Sequence, residues 1–326
     1  MKPLVAITHW VHPEVSGFLA EEFRVTTNDT RDSWPHQMLL ENARDAGALM
    51  VFMPDRVDAA LLEACPNLKV IGAALKGFDN IDVETCTKRN IRVTYVPDLL
   101  TVPAAELTVG MMIALGRNVI AGHERVSSGA FSGWCPILYG TGISGETVGI
   151  LGMGAIGQSI ARRLSGFGAR ILGFDAIGLP SARAAELNVT LGTIDTILEQ
   201  STYVIAGLPL KPDTRHLFND AAIQRMKPGS FLINIGRGSV VDEMAVSRAL
   251  NSGHLGGYAA DVFEFEDLSL PDRPRSIPRE LLHSPQTLLL PHLGSAVEKV
   301  RFEISMSAAR SIMAVLSGQR PETCLN

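Results

Sequence analysis

Ten short apolar runs divide this chain, at 4–8, 48–52, 70–74, 92–96, 147–151, 171–174, 203–208, 231–235, 258–262 and 287–290. Taken together they are strongly apolar, without strict alternation. That suits strands buried on both faces of a parallel sheet. Helical patterns separate the runs, and this alternation predicts a doubly wound α/β architecture. At 326 residues the chain also exceeds one ordinary domain, so two such sheets are expected. They divide around an apolar helix over 104–123, rich in Leu, Met, Ile and Ala. Being apolar over most of its circumference, it reads either as the interior helix of one domain or as an inter-subunit helix. Pro97 and Pro103 mark a first hinge, and the run Pro291-His292-Leu293-Gly294-Ser295 a second, before a final helix over 296–316 that returns to the first domain. The expected boundaries are 1–98 with 293–326 for a substrate domain, and 99–292 for a second domain.

Composition removes several function classes. A net charge of −5 gives no reason to expect nucleic acid or an anionic membrane as partner. The four cysteines include no CxxC pair, which reads as reduced thiols and no metal site. The start lacks the segments of a signal peptide, and the most apolar long run, 107–121, contains Arg117 and falls short of the roughly 20 residues a membrane span needs. A cytoplasmic protein is expected.

The strongest local motif is Gly152-Met153-Gly154-Ala155-Ile156-Gly157. It follows the run 147–151 and opens a helix with Ile156, Ile160, Leu164 and Phe167 on one face. In that context the glycines make a tight turn that lets a pyrophosphate approach the helix N-terminus. A second strand ends at Asp175, 23 positions after Gly152 and close to the spacing of about 20 expected for the acid that holds a ribose 2′-hydroxyl. Asp175 beside Ala176 would repel a 2′-phosphate, which favours NAD over NADP; Arg183 is the nearest basic residue afterwards. The second domain therefore reads as a Rossmann NAD-binding domain.

Three later segments each set one polar residue just past a buried strand: Arg237, Glu266 and His292. Ligands of open α/β sheets bind outside the carboxyl ends of the strands, so the three are candidates for one cleft. A histidine near neutrality is a natural proton acceptor, and a carboxylate behind it fixes its tautomer.

These segments resemble the D-2-hydroxyacid dehydrogenase family nearly end to end, through Gly77-Phe78-Asp79-Asn80-Ile81-Asp82 and Leu208-Pro209-Leu210-Lys211-Pro212-Asp213-Thr214 as well. Within it, Phe52-Met53-Pro54-Asp55-Arg56-Val57, Leu75-Lys76-Gly77, Leu99-Leu100-Thr101-Val102-Pro103, Tyr139-Gly140-Thr141-Gly142 and His292-Leu293-Gly294-Ser295-Ala296-Val297, leading to Arg301, are most similar to the phosphite-oxidising members. The resemblance implies a flavodoxin-like substrate domain and a homodimer. It also implies Arg237 on the substrate oxyanion, His292 as general acid/base paired with Glu266, and Lys76 as a second cation from the opposite domain. Gly207, Leu208, Pro209, Ile235, Gly236, Asp261 and Gly294 join the glycine turn as cofactor contacts. Met53, Leu100, Thr101, Trp134, Tyr139 and Arg301 would line the substrate pocket, though the uncharged ones among them read equally as core or dimer contacts. Ala104 departs from the family, which often carries Ser or Thr there; the lost hydroxyl is worth about 1 kcal/mol at most.

Phosphite is mostly a dianion near neutral pH, whereas one Arg suffices for a single carboxylate. Lys76 stands where hydroxyacid enzymes usually have an uncharged residue, Asp267 where they typically have Pro, and Val297 where many have Thr. These differences point to NAD-dependent oxidation of phosphite. The alternatives are a glyoxylate, hydroxypyruvate or D-lactate type dehydrogenase, and an NAD-sensing scaffold of the corepressor type.

Overall fold

The computed structural model describes residues 2–326. They form two compact units: 2–100 with 268–271 and 296–326, and 101–267 with 272–295.

The first unit contains β1 (Leu4–Ile7), β2 (Arg24–Thr27), β3 (Ala46–Val51), β4 (Val70–Ala73) and β5 (Arg92–Thr94), all parallel, in the order β2-β1-β3-β4-β5. This is the flavodoxin-like order, whose switch point lies between β1 and β3. Every residue of β3 and β4 is buried, as their unbroken apolar sequences require. The helix Glu298–Leu316 closes one face of this sheet. Gly72 on β4 permits the approach, since a Cβ there would stand 2.6 Å from Ile312 Cγ1.

The second unit contains β6 (Thr147–Leu151), β7 (Arg170–Phe174), β8 (Val189–Leu191), β9 (Tyr203–Ala206), β10 (Ser230–Asn234), β11 (Leu255–Ala260) and β12 (Thr287–Leu289), in the order β12-β11-β10-β9-β6-β7-β8. Counted within the unit that is 7-6-5-4-1-2-3, the Rossmann arrangement with its crevice between β6 and β9. Side-chain caps start the intervening helices: Thr193 accepts the Thr196 N–H, Asn219 that of Ala222, and Asp242 those of Met244 and Ala245.

Two expectations need correction. The ten runs become twelve strands among the described residues, because β2 and β8 are edge strands with polar, partly exposed sequences. The helix expected over 104–123 is two helices, Thr101–Gly116 and Val119–Ser127, meeting at 64°. Asn118 breaks it in the left-handed conformation, at φ 52°. The first helix packs on β10–β12 and on the helix Ala155–Leu164; the second buries none of its residues. Among the described residues, no single helix is long and apolar enough to cross a membrane.

Candidate active site

The turn after β6 has the shape a pyrophosphate needs. Gly152 sits at φ 103°, closed to most side chains, and a Cβ there would collide with the Gly207 carbonyl. A Cβ on Gly157 would collide with the Gly152 carbonyl, so the helix Ala155–Leu164 rests directly on the turn. Gly154 is the opposite case: a Cβ there would meet nothing within 4 Å. Its bare backbone faces open space at the N-terminus of a ten-residue helix, where N–H groups favour an anion.

Asp175 stands at the same turn. One carboxylate oxygen accepts the Met153 N–H at 2.9 Å and the other the Ile177 N–H at 3.0 Å. Arg183 is committed elsewhere, to Gln158 at 2.9 Å and Glu186 at 2.7 Å. Across the crevice, Gly207-Leu208-Pro209 follow β9 and Ile235-Gly236 follow β10; a Cβ on Gly236 would collide with the Leu208 carbonyl, so these two loops touch. The residues fit a dinucleotide.

Arg237, Glu266 and His292 lie past the carboxyl ends of β10, β11 and β12, three neighbouring parallel strands. Gly238 lets the Arg237 turn lie against the next strand's exit, since a Cβ there would strike the Phe263 backbone. Glu266 closes the short 3-10 turn Glu264–Glu266. One of its oxygens accepts the Phe263 N–H at 2.9 Å, and the other lies 2.8 Å from His292 Nδ1. A carboxylate only accepts, so Nδ1 carries the ring proton and Nε2 keeps its lone pair.

His292 is itself in the left-handed region, at φ 57°, which is uncommon for a residue with a side chain. Asp261, 3 % exposed, holds it there by accepting the next two N–H groups, Leu293 at 2.6 Å and Gly294 at 2.8 Å. Asp261, expected among the cofactor contacts, thus has both oxygens engaged by backbone. Burial raises its pKa, and those two N–H groups and the His292 charge oppose the rise.

In the first unit, Met53, Lys76 and Leu100 follow β3, β4 and β5 at the carboxyl edge of the sheet. Burial lowers the Lys76 pKa, with the Asp98 charge opposing. Arg301, on the first turn of Glu298–Leu316, lies 5.7 Å over the Phe52 ring, and burial lowers its pKa too. Trp134 and Tyr139 lie on the irregular stretch after Val119–Ser127 and are 84 % and 78 % exposed, so within one chain neither lines a pocket. Thr101 opens the helix Thr101–Gly116.

Residues 109–294 match the family model described as D-isomer specific 2-hydroxyacid dehydrogenase, NAD binding domain. The chain belongs to that family. This 2-hydroxyacid dehydrogenase is 36 % identical to a glyoxylate reductase of Thermofilum pendens, over 100 % of its own length and 95 % of that protein's. In three dimensions it is similar to the TT0316 protein of Thermus thermophilus, with a TM-score of 0.90 and 31 % identity, covering 99 % of this chain and 100 % of that one. It is also similar to the D-lactate dehydrogenase of Aquifex aeolicus in complex with NAD and lactic acid, with a TM-score of 0.83 and 25 % identity, covering 97 % and 96 %. The second unit of this dehydrogenase is thus its NAD-binding domain.

Sequence reasoning missed the supports of this dehydrogenase's site. Asp55, 6 % exposed, accepts the Phe52 N–H at 2.7 Å and the Thr8 hydroxyl at 2.5 Å, and lies 3.4 Å from His9. Asn80 donates to the carbonyls of Asp55 at 2.7 Å and Phe52 at 3.2 Å, tying the Met53 loop to the Lys76 loop. Glu243 and Glu264 were missed as well. Their only sequence signal is acids in apolar surroundings, which ordinary surface turns also carry.

Proposed function

We propose that this 2-hydroxyacid dehydrogenase oxidises phosphite, and that it does so in the cytoplasm as a homodimer. The observation that carries the reading is the placement of two cations in the first unit: Lys76 follows β4 at the carboxyl edge of the sheet, and Arg301 lies 5.7 Å over the ring of Phe52, which follows β3. A cation partly withdrawn from water attracts an anion more strongly than one in bulk solvent. With Arg237 they supply three positive charges, a set suited to a dianion and more than one carboxylate requires.

Bound NAD supplies the two-electron acceptor, so that phosphite, NAD and water give phosphate, NADH and a proton. His292 Nε2, its lone pair exposed because Nδ1 donates to Glu266, takes the proton of the attacking water. Glu266 stabilises the imidazolium that results. Arg237, Lys76 and Arg301 bind and orient the oxyanion, and fixed charges of this kind need no reorganisation as charge shifts.

The homodimer rests on the apolar surface of Val119, Ile120, Val126, Phe131, Trp134 and Tyr139, each at least 46 % exposed. A second copy would cover it and give Trp134 and Tyr139 their place beside a substrate.

A second reading, reduction of glyoxylate or another 2-keto acid, is favoured by the relatives' names. Arg237 alone would hold such a carboxylate. Identity near 36 % over the chain carries the family, and leaves the donor to the residues that meet it. Two initial rates separate the readings: NADH formed from NAD with phosphite, and NADH consumed with glyoxylate or hydroxypyruvate. Turnover of keto acids with none of phosphite removes the first.

A further inference from the structure

We propose that Glu243 is a positioning residue: with Glu264 it forms a reciprocal carboxyl clamp that keeps the Arg237 turn and the Glu266 turn in register. The inference rests on the family-level chemistry of Arg237, Glu266 and His292, whichever donor they serve. Glu243 opens the helix Glu243–Asn251, which follows the Arg237 turn, and Glu264 opens the turn that ends at Glu266. Glu264 Oε1 accepts the Glu243 N–H at 3.0 Å, and Glu243 Oε1 accepts the Glu264 N–H at 2.9 Å. Each carboxyl therefore satisfies the first backbone donor of the other's element, an orphan group at any helix start. Two further bonds brace the same joint. The Ser239 N–H donates to Asp267 at 2.7 Å, and His216 Nε2 meets the second oxygen of Glu264 at 2.8 Å.

Four carboxyls on two adjoining turns could not all be charged cheaply. Glu243 is 1 % exposed, and its Oε2 is buried without a hydrogen-bond partner. Groups facing it are Glu264, Glu266 and Asp267 from the turn after β11, and the buried Tyr258 from β11; His216 bears on Glu264 from the loop after β9. Burial first, then the charges of Glu264, Asp267 and Glu266, push Glu243 up to about 8, with the Glu264 N–H pulling the other way. Near neutrality the clamp thus holds a proton. A carboxyl whose folded pKa is raised stabilises fully below its unfolded value near 4.5, and that stability is lost as pH rises through about 8.

The tests are Glu243→Gln, which mimics the protonated carboxyl and keeps an oxygen for the Glu264 N–H, and Glu243→Asp, which withdraws the carboxyl by one methylene. Melting of the whole chain from about pH 6 to about pH 9 needs no substrate. The wild type is expected to lose melting temperature relative to Glu243→Gln over that range. Parallel curves would overturn the proton assignment. In turnover with NAD and phosphite, or with NADH and glyoxylate if phosphite is inert, Glu243→Asp should lower kcat about tenfold and leave NAD binding within about twofold, whereas Glu243→Gln stays near wild type at neutral pH. A folded Glu243→Asp chain with unchanged kcat, or a Gln variant as impaired as the Asp one, would remove Glu243 from the positioning role. Inert phosphite alone bears on the donor and leaves the clamp standing.

Discussion

Glu266 holds His292 Nδ1 at 2.8 Å with one oxygen and the N–H of Phe263, at the start of its own turn, with the other. The carboxylate therefore fixes both the ring and the loop that carries it. Glu266→Gln keeps the size and offers an amide in place of the charge, so the imidazolium loses its stabilisation. The expected result is a kcat loss of roughly 10²-fold, with His292→Ala falling by 10³-fold or more, against typical general acid–base contributions of about 10²–10⁴. NADH binding, followed by fluorescence, should change little in either variant. Appreciable residual turnover in His292→Ala would take the base role from that residue.

The glycine turn supports a paired test. Gly154→Ala adds a methyl that meets no protein atom within 4 Å, so stability should hold while NAD affinity falls at least tenfold, the methyl standing where phosphate approaches. Gly157→Ala drives its methyl into the Gly152 carbonyl and should lower the melting temperature in the absence of any cofactor. Equal losses of stability in both would mean that the space at Gly154 is not a ligand cradle.

Asp261 offers a stability prediction at a site residue. Its two bonds hold His292 in a left-handed backbone, and hydrogen bonds to a charged group are worth about 1.5–3 kcal/mol each. Asp261→Ala is expected to destabilise the chain by about 3 kcal/mol in urea unfolding and to lower kcat together with stability. Loss of stability with full turnover would show that the His292 loop keeps its geometry without the anchor.

The position of Asp175 at the glycine turn allows a test of cofactor choice. If Asp175 holds the ribose, as proposed, Asp175→Ala removes the acceptor for its hydroxyl and the charge that opposes a 2′-phosphate. NAD affinity should weaken about tenfold, equal to some 1.4 kcal/mol, while NADP turnover rises. Arg183 lends little help to NADP, because Gln158 and Glu186 already engage it. Unchanged cofactor preference would detach Asp175 from the ribose.

Much of this arrangement is legible in the residues alone. Buried parallel strands are apolar on consecutive positions, and a strand–glycine turn–helix has few other uses, so β6, the cradle and Asp175 could be read off directly. Arg237, Glu266 and His292 share the physics of strand ends. The edge strands β2 and β8 were not legible, because an edge exposes half its surface and tolerates Arg24 or Thr190. The break at Asn118 was hidden within a continuous apolar pattern. Glu243 and Glu264 are 21 positions apart, and only folding makes each the cap of the other. Asn80 and Asp55 likewise gain their roles only once β3 and β4 lie side by side.

Whether Lys76 helps to select a dianionic donor is decided by steady-state kinetics of the wild type and Lys76→Ala with phosphite and with glyoxylate. Expected are phosphite turnover by the wild type, a phosphite KM raised more than about tenfold in Lys76→Ala, and a nearly unchanged KM for NAD. Unaltered phosphite kinetics in the variant, or a wild type that reduces glyoxylate and ignores phosphite, would contradict that role.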